Sequence, residues 1–248
     1  MKYLAALVLP ILLMGAWQLC SQSGLLSPAY FPPPSATAEA LWDSAISGRL
    51  WGPFGSTALR MFEGWLAATA AGVLLGAVIG SSKPARDYLQ PFVEFLRPFP
   101  ASAIIPAAIL VFGLSNTMAV FVIAFGSLWP VLLGTLHGFA STEPRLREVA
   151  RSLEMGRIAY LWKVAIPSAL PDVFTGARIG LAIALILAVV VEMQAAQLGL
   201  GQNILLAQRM YRAPELYAGI IVLGLFGFLI SAALSAFERH LLAWKTTH

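Results

Sequence analysis

Apolar runs alternate with short polar intervals along the whole chain, and six of them are long enough to cross a bilayer, at about residues 3–20, 57–80, 91–114, 117–139, 173–196 and 217–237. A hydrocarbon core about 30 Å thick needs roughly 20 helical residues per crossing. The pattern therefore predicts an all-α fold, a polytopic membrane helical bundle of six transmembrane helices forming a single domain over residues 1–248. The first run, Lys2 followed by Leu4 to Leu19, has the basic start and apolar middle of a secretory signal peptide. We read it as an uncleaved first span; Gln18 and Leu19 before Cys20 are not the small residues that a lipoprotein site needs. After it, Pro32, Pro33 and Pro34 stiffen the chain, and Ser35 to Leu50 reads as a surface helix with Ala38, Leu41, Trp42, Ala45 and Ile46 at helical spacing. That helix is expected against the outer membrane face or the bundle.

The second run carries Gly72, Gly76 and Gly80 at four-residue intervals with Ala68 on the same side, a face that allows close helix contact. Arg60 and Glu63, three apart, are expected to pair along that helix. The third run is short and interrupted by Pro98, Pro100 and Pro106. Irregular backbone at membrane depth is tolerated where it lines a cavity, which makes Pro100 and Pro106 candidate pathway residues. A helix kinked for packing accounts for the same prolines. Gly113, Ser115 and Asn116 make a turn before the fourth run, which holds Trp129 beside Pro130 and ends near His137.

Between the fourth and fifth runs lies a polar interval over residues 140–172 with Arg145, Arg147, Arg151, Arg157 and Lys163 beside Glu143, Glu148 and Glu154. Pro144 can open a short helix, Gly156 can break or turn it, and Pro167 and Pro171 argue against uninterrupted helix at the far end. Two short helices joined by a turn are predicted. A simple connection needs only a few residues, so this loop is more than a tether. An ordinary solvated loop that fixes topology is the plainer alternative.

The composition, 58% apolar and 11% charged with a mean hydropathy of +0.77, excludes an ordinary soluble domain. The net charge of +4 comes from basic residues spread over loops without stacking aromatics, which argues against a nucleic-acid partner. Six spans with both termini inside place twelve basic residues in the cytoplasm and leave only Arg49, Arg60, Arg209 and Arg212 outside. That asymmetry favours this orientation.

No phosphate loop of the Gly-x-x-x-x-Gly-Lys-Ser/Thr kind occurs, so any ATP and its magnesium would be bound by another subunit. His137, His240 and His248 are the only histidines, no serine elbow or His-Glu-x-x-His is present, and Cys20 is the one cysteine. No metal, cofactor or catalytic residue is expected in this chain, and a membrane enzyme has little to work with. Glu192 is the one ionisable residue well inside a late span, followed by Gln194 and Gln197. It fits a pathway or gate residue, a carboxylate paired with Arg209 or Arg212, or a proton site.

Glu148-Val149-Ala150, followed by Ile166-Pro167, resembles the EAA motif by which binding-protein-dependent ABC transporter permeases dock their ATPase. That motif reads Glu-Ala-Ala, three residues, Gly, nine residues, Ile, one residue, Leu-Pro. Val149, Val164 and Ile166 are conservative replacements, whereas Glu154 stands at the glycine position with Gly156 two residues later, implying a displaced or reshaped turn. Blocks from Leu96 to Trp244 are similar to permeases of the sulfonate, taurine and nitrate uptake group, with Ser56 to Gly64 a weaker match. Glu192 falls on the Glu of that group's Ala-Glu block, and Gly199 and Gly201 on its Gly-Leu-Gly.

The resemblance implies a MetI-like ABC permease fold in the cell inner membrane, with residues 140–172 as a cytoplasmic coupling-helix loop. It also implies a homodimer with the pathway at its axis, two cytoplasmic ATP-binding subunits and a periplasmic or lipid-anchored solute-binding protein. The coupling positions it marks are Glu148, Val149, Ala150, Arg151, Glu154, Gly156, Ile166 and Pro167; Pro100, Pro106, Trp129, Glu192 and Gln194 are the candidate pathway residues. A stand-alone secondary transporter or channel is the alternative, opposed by the scarcity of ionisable groups inside the spans.

Overall fold

The computed structural model describes residues 2–242, those before residue 8 by backbone alone. Lys245 and the end of the basic tail lie outside the described residues. Every regular element among the described residues is helical: α1 (Lys2–Gln22), α2 (Pro34–Ile46), α3 (Trp51–Ser81), α4 (Lys83–Leu96), α5 (Ala101–Phe112), α6 (Asn116–Ala140), α7 (Pro144–Ser152), α8 (Arg157–Tyr160), α9 (Ile166–Ala195), α10 (Leu200–Arg209) and α11 (Ala213–Leu241).

The centre of the bundle is α3 packed on α6 and α6 packed on α9. The small-residue face read from the sequence makes the first seam. A Cβ added at Gly76 would lie 2.6 Å from the Leu132 carbonyl and from Thr135 Cβ, and one at Gly80 would lie 2.8 Å from Phe139 Cβ. Only hydrogen fits there, so the two backbones touch directly and dispersion acts over the whole seam. The second seam repeats the device. At Gly138 an added Cβ would stand 2.9 Å from Ala169 Cα, and at Gly134 it would stand 3.2 Å from Gly176 Cα. Buried Met61, Ile123, Leu181, Ala184 and Ala188 fill the space among these helices, with Phe226 entering from α11.

Four helices are long and apolar enough to cross a membrane: α3, α6, α11 and a continuous helix from Arg157 to Ala195. The α4–α5 pair makes a fifth if counted as one bent span; the described apolar part of α1, Val8–Gln22, is shorter. The expected third span is therefore two helices meeting at 90°. Arg97 to Pro100 form the break, since two prolines within three residues remove two N–H donors and fix φ. Pro106, by contrast, stays inside α5.

The fifth span begins much earlier than residue 173, and Pro167 and Pro171 do not interrupt it. The helix widens over Leu161–Ala165 into a π turn, in which the Ile166 N–H reaches back to the Leu161 carbonyl. Pro167 follows directly on this π turn, whose widened ladder accommodates its ring and its missing donor. The fourth span matches its expected bounds because its signals are local. Gly113 turns the chain at φ 67° and the Ser115 hydroxyl caps α6 by accepting from the Met118 N–H at 3.2 Å.

The surface helix also forms, opened by Pro34 at its first turn. It rests on α11 and α1 with Thr37 buried, while Trp42 and Ile46 face outward.

Candidate functional site

Polar chemistry gathers at both ends of the α3–α6–α9 core. Arg60, in the first third of α3, and Gly80, near its far end, are twenty residues apart, which is about 30 Å of helix.

At the Arg60 end, Glu192 is fully buried and every donor around it is committed. Its Oε1 accepts from Arg60 Nη1 at 3.1 Å, and its Oε2 from the Thr57 hydroxyl at 2.9 Å and the Gly201 N–H at 3.0 Å. Arg60 also donates to the Leu198 carbonyl at 2.7 Å and, through Nε, to Asn116 Oδ1 at 3.1 Å. Thr57 accepts from the Leu200 N–H at 2.9 Å. The network thus ties α3, the start of α6, the end of α9 and the short α10 into one corner. Gly199 is part of the same fit, because any Cβ there would collide with the Glu192 carboxylate.

Two sequence expectations are corrected here. Arg60 does not pair with Glu63; it turns inward to Glu192, and Glu63 instead accepts from Asn116 Nδ2 at 2.9 Å. Arg209 and Arg212 are exposed on α10 and the turn after it, so neither is the partner of Glu192. A buried carboxylate left without a counter-charge costs about 3–5 kcal/mol, well beyond what an exposed pair contributes along a helix, and this decides where Arg60 points. The sequence did not connect Thr57, Asn116 or the Gly201 amide with Glu192. Gln194 faces outward, away from this network.

At the other end, α7 lies between the end of α6 and the start of the long helix. Arg147 anchors it by donating to the Ala140 carbonyl at 2.9 Å. Ala150 is turned inward and only 5% exposed, whereas Glu148, Val149 and Arg151 face out. Leu146, Val149 and Leu153 stand three and four residues apart, and the last two are 54% and 67% exposed. They form an apolar stripe along α7 and its C-cap residue, flanked by Arg145, Arg147, Glu148 and Arg151. Ile158 and Trp162 are exposed beyond the turn, while Ile166 and Pro167 are half-buried behind it.

The turn after α7 is not shifted to Gly156. Glu154 itself occupies the left-handed region at φ 50°, at the position where the EAA pattern has glycine, and Gly156 has an ordinary φ of −63°. A Cβ in that conformation costs about 1 kcal/mol or more. Glu154→Gly is therefore expected to raise stability by up to about 1 kcal/mol, read as a small upward shift in the thermal midpoint of the purified chain.

The remaining candidates are dispersed. Pro100 opens α5 from its exposed cap position and Pro106 is exposed on α5. Trp129 is buried with Ile79, Val93 and Leu132, its ring edge-on to Phe125 at 5.4 Å.

A family model described as "Binding-protein-dependent transport system inner membrane component" matches residues 68–245. The chain is 31% identical over 246 residues to the putative aliphatic sulfonates transport permease protein SsuC of Bacillus subtilis, covering 99% of this chain and 89% of that one. It is 31% identical over 237 residues to the taurine transport system permease protein TauC of Escherichia coli, covering 94% and 86%. It is 32% identical over 230 residues to the nitrate import permease protein NrtB of Leptolyngbya laminosa, covering 89% and 81%. Among solved structures, an inward-facing MetNI methionine ABC transporter superposes with a TM-score of 0.66 at 19% identity, covering 75% of this chain and 92% of that chain.

Proposed function

The chain belongs to the family of binding-protein-dependent transport system inner membrane components, and we propose that its cargo is a small anion of the sulfonate, taurine or nitrate kind. It is a permease subunit of an ABC importer and not an enzyme; hydrolysis belongs to a separate ATPase. ATP and magnesium sit on that subunit, and an external solute-binding protein delivers the anion.

The observation that carries the coupling mechanism is the apolar stripe of Leu146, Val149 and Leu153, placed directly before the unbroken helix from Arg157 to Ala195. In our reading α7 faces the cytoplasm and seats this stripe on the ATPase, with Glu148 and Arg151 at its rim. A push on α7 passes through the Glu154 turn into the long helix, whose far end is clamped by Glu192. The bundle moves as a rigid unit between inward and outward openings, because its seams have no slack.

The same reading has six spans, with α1 as the first and the bent α4–α5 pair as the third, and both termini in the cytoplasm. The chain works as a homodimer. Exposed apolar side chains on α5, such as Leu110 and Val111, face the second copy or lipid. Pro100, Pro106 and Gln194 lie towards the pathway, whose wall Trp129 and Glu192 hold in place from behind.

Reconstitution tests it. Liposomes holding this chain, its ATPase and its binding protein take up a sulfonate, taurine or nitrate only when ATP is supplied. Gradient-driven uptake by the chain alone would make it a stand-alone secondary transporter and overturn the proposal.

A further inference from the structure

The α7 end of the bundle holds a second feature, which shares only Arg151 with the docking surface proposed above. A cleft of about 840 Å³ opens between the junction of α3 with α4 on one side and α7 with α8 on the other. Lys83, Arg86, Arg147, Arg151 and Arg157 line it, with Asp87 as the one carboxylate. Among the described residues the only ion pairs are Arg60 with Glu192 and Arg178 with Glu238, so none of these five cations is neutralised by a salt bridge.

Two of the five are also held in place. Arg86 donates through Nη2 to the Gly80 carbonyl at 2.6 Å, and Arg147 through Nη2 to the Ala140 carbonyl. Both acceptors are at the ends of long helices, so these guanidiniums cannot swing freely into solvent as surface arginines do. Arg86 Nε is buried and has no hydrogen-bond partner. A buried donor left unsatisfied is costly, and like charges gathered in a cleft repel, so the site as built favours an anion that answers both. Guanidinium groups match tetrahedral oxyanions, which offer several acceptor oxygens to a planar fork of donors.

We propose that this cleft binds an oxyanion group of the phosphate or sulfonate type and thereby bridges α4 to α7. Two sources have that chemistry. The cleft lies where two apolar helices end, which for membrane-crossing helices is the level of a phospholipid head group, and it is open enough to admit a free anion. Occupancy ties the docking helix to the α3–α4 junction across the cleft, stiffening the joint through which force enters. The cytoplasmic placement of the cleft and the docking role of α7 rest on the importer reading; binding itself does not.

The test uses the full-length chain without its ATPase. In one arm, inorganic sulfate replaces chloride at constant ionic strength in neutral detergent. In the other, phosphatidylglycerol is titrated into phosphatidylcholine nanodiscs. The readout is the thermal midpoint. At least one arm is expected to raise it with saturation, at about tenfold higher concentration in Arg151→Gln and in Arg86→Gln. Arg151 is exposed, so its replacement tests binding without disturbing the packing. Arg49→Gln, outside the cleft, keeps the wild-type response. A response to lipid alone identifies a head group, and a response to sulfate alone identifies a soluble anion. The proposal is overturned if neither arm moves the midpoint, or if both cleft variants respond like the wild type. A chain that binds sulfate yet captures no ATPase would sink the importer reading and leave this one standing.

Discussion

Glu192→Ala is expected to remove about 3–5 kcal/mol of stability, because it strands Arg60 in a setting where that side chain is only 13% exposed. Domains of ordinary stability have about 5–15 kcal/mol in hand, so the variant should accumulate poorly in the membrane and unfold early in detergent. The loss exceeds the net worth of the ion pair. It arises because Arg60 keeps its desolvation cost and loses its anion, while the Thr57 hydroxyl and the Gly201 amide lose an acceptor. Glu192→Gln keeps an acceptor of similar shape and should fall between the two. Replacing Arg60 and Glu192 together by methionines should recover much of the loss, since no charge is then left alone. Thermal midpoints of the four proteins check the series. Equal midpoints for wild type and Glu192→Ala would mean that the corner at α3, α9 and α10 is not held by this carboxylate.

The second large effect concerns docking. Val149→Asp and Leu153→Asp place charge on positions that are more than half exposed and belong to none of the buried core clusters, so stability should change by about 0.5 kcal/mol or less. If these side chains are anchors, each replacement costs about 2 kcal/mol or more of ATPase affinity, which is about thirtyfold. The pair should abolish ATPase co-purification and uptake while the permease still inserts and folds. Glu148→Lys should act in the same direction from the rim. Ala150→Asp would be a poorer probe, since Ala150 is buried and a carboxylate there disturbs the turn. Co-purification at wild-type yield with Val149→Asp/Leu153→Asp would remove the stripe from the interface.

What the sequence made legible follows from what is encoded locally. The seam at Gly72, Gly76 and Gly80 was readable because four-residue spacing puts small residues on one helical face wherever the helix goes. The bounds of α6 were readable from Gly113 and Ser115, and the break at the third span from Pro98 and Pro100. Glu192 stood out as a carboxylate in an apolar run, yet its partner lay 132 positions away and no local rule points so far. A usable signal did exist: Arg60 is the only basic residue within the second apolar run, and a buried charge seeks an opposite one.

The start of the fifth span is hidden in the sequence for a different reason. Pro167 and Pro171 ordinarily break helices, and the π turn that absorbs the first has no compositional mark. Glu154 likewise gives no warning that it will take a left-handed conformation, which non-glycine residues seldom adopt. The motif position did better than residue type there, because the loop keeps its turn where the pattern puts the glycine.

Force from a separate ATPase entering through α7 is the central claim, and site-directed cross-linking tests it most directly. Cys20 is the only native cysteine, so Val149→Cys in a Cys20→Ser background carries a single thiol. In membranes holding the assembled importer, that thiol is predicted to cross-link to the ATPase and to be shielded from membrane-impermeant reagents applied from outside. A thiol labelled from outside, or one that never reaches the ATPase while the importer is intact, would contradict the account.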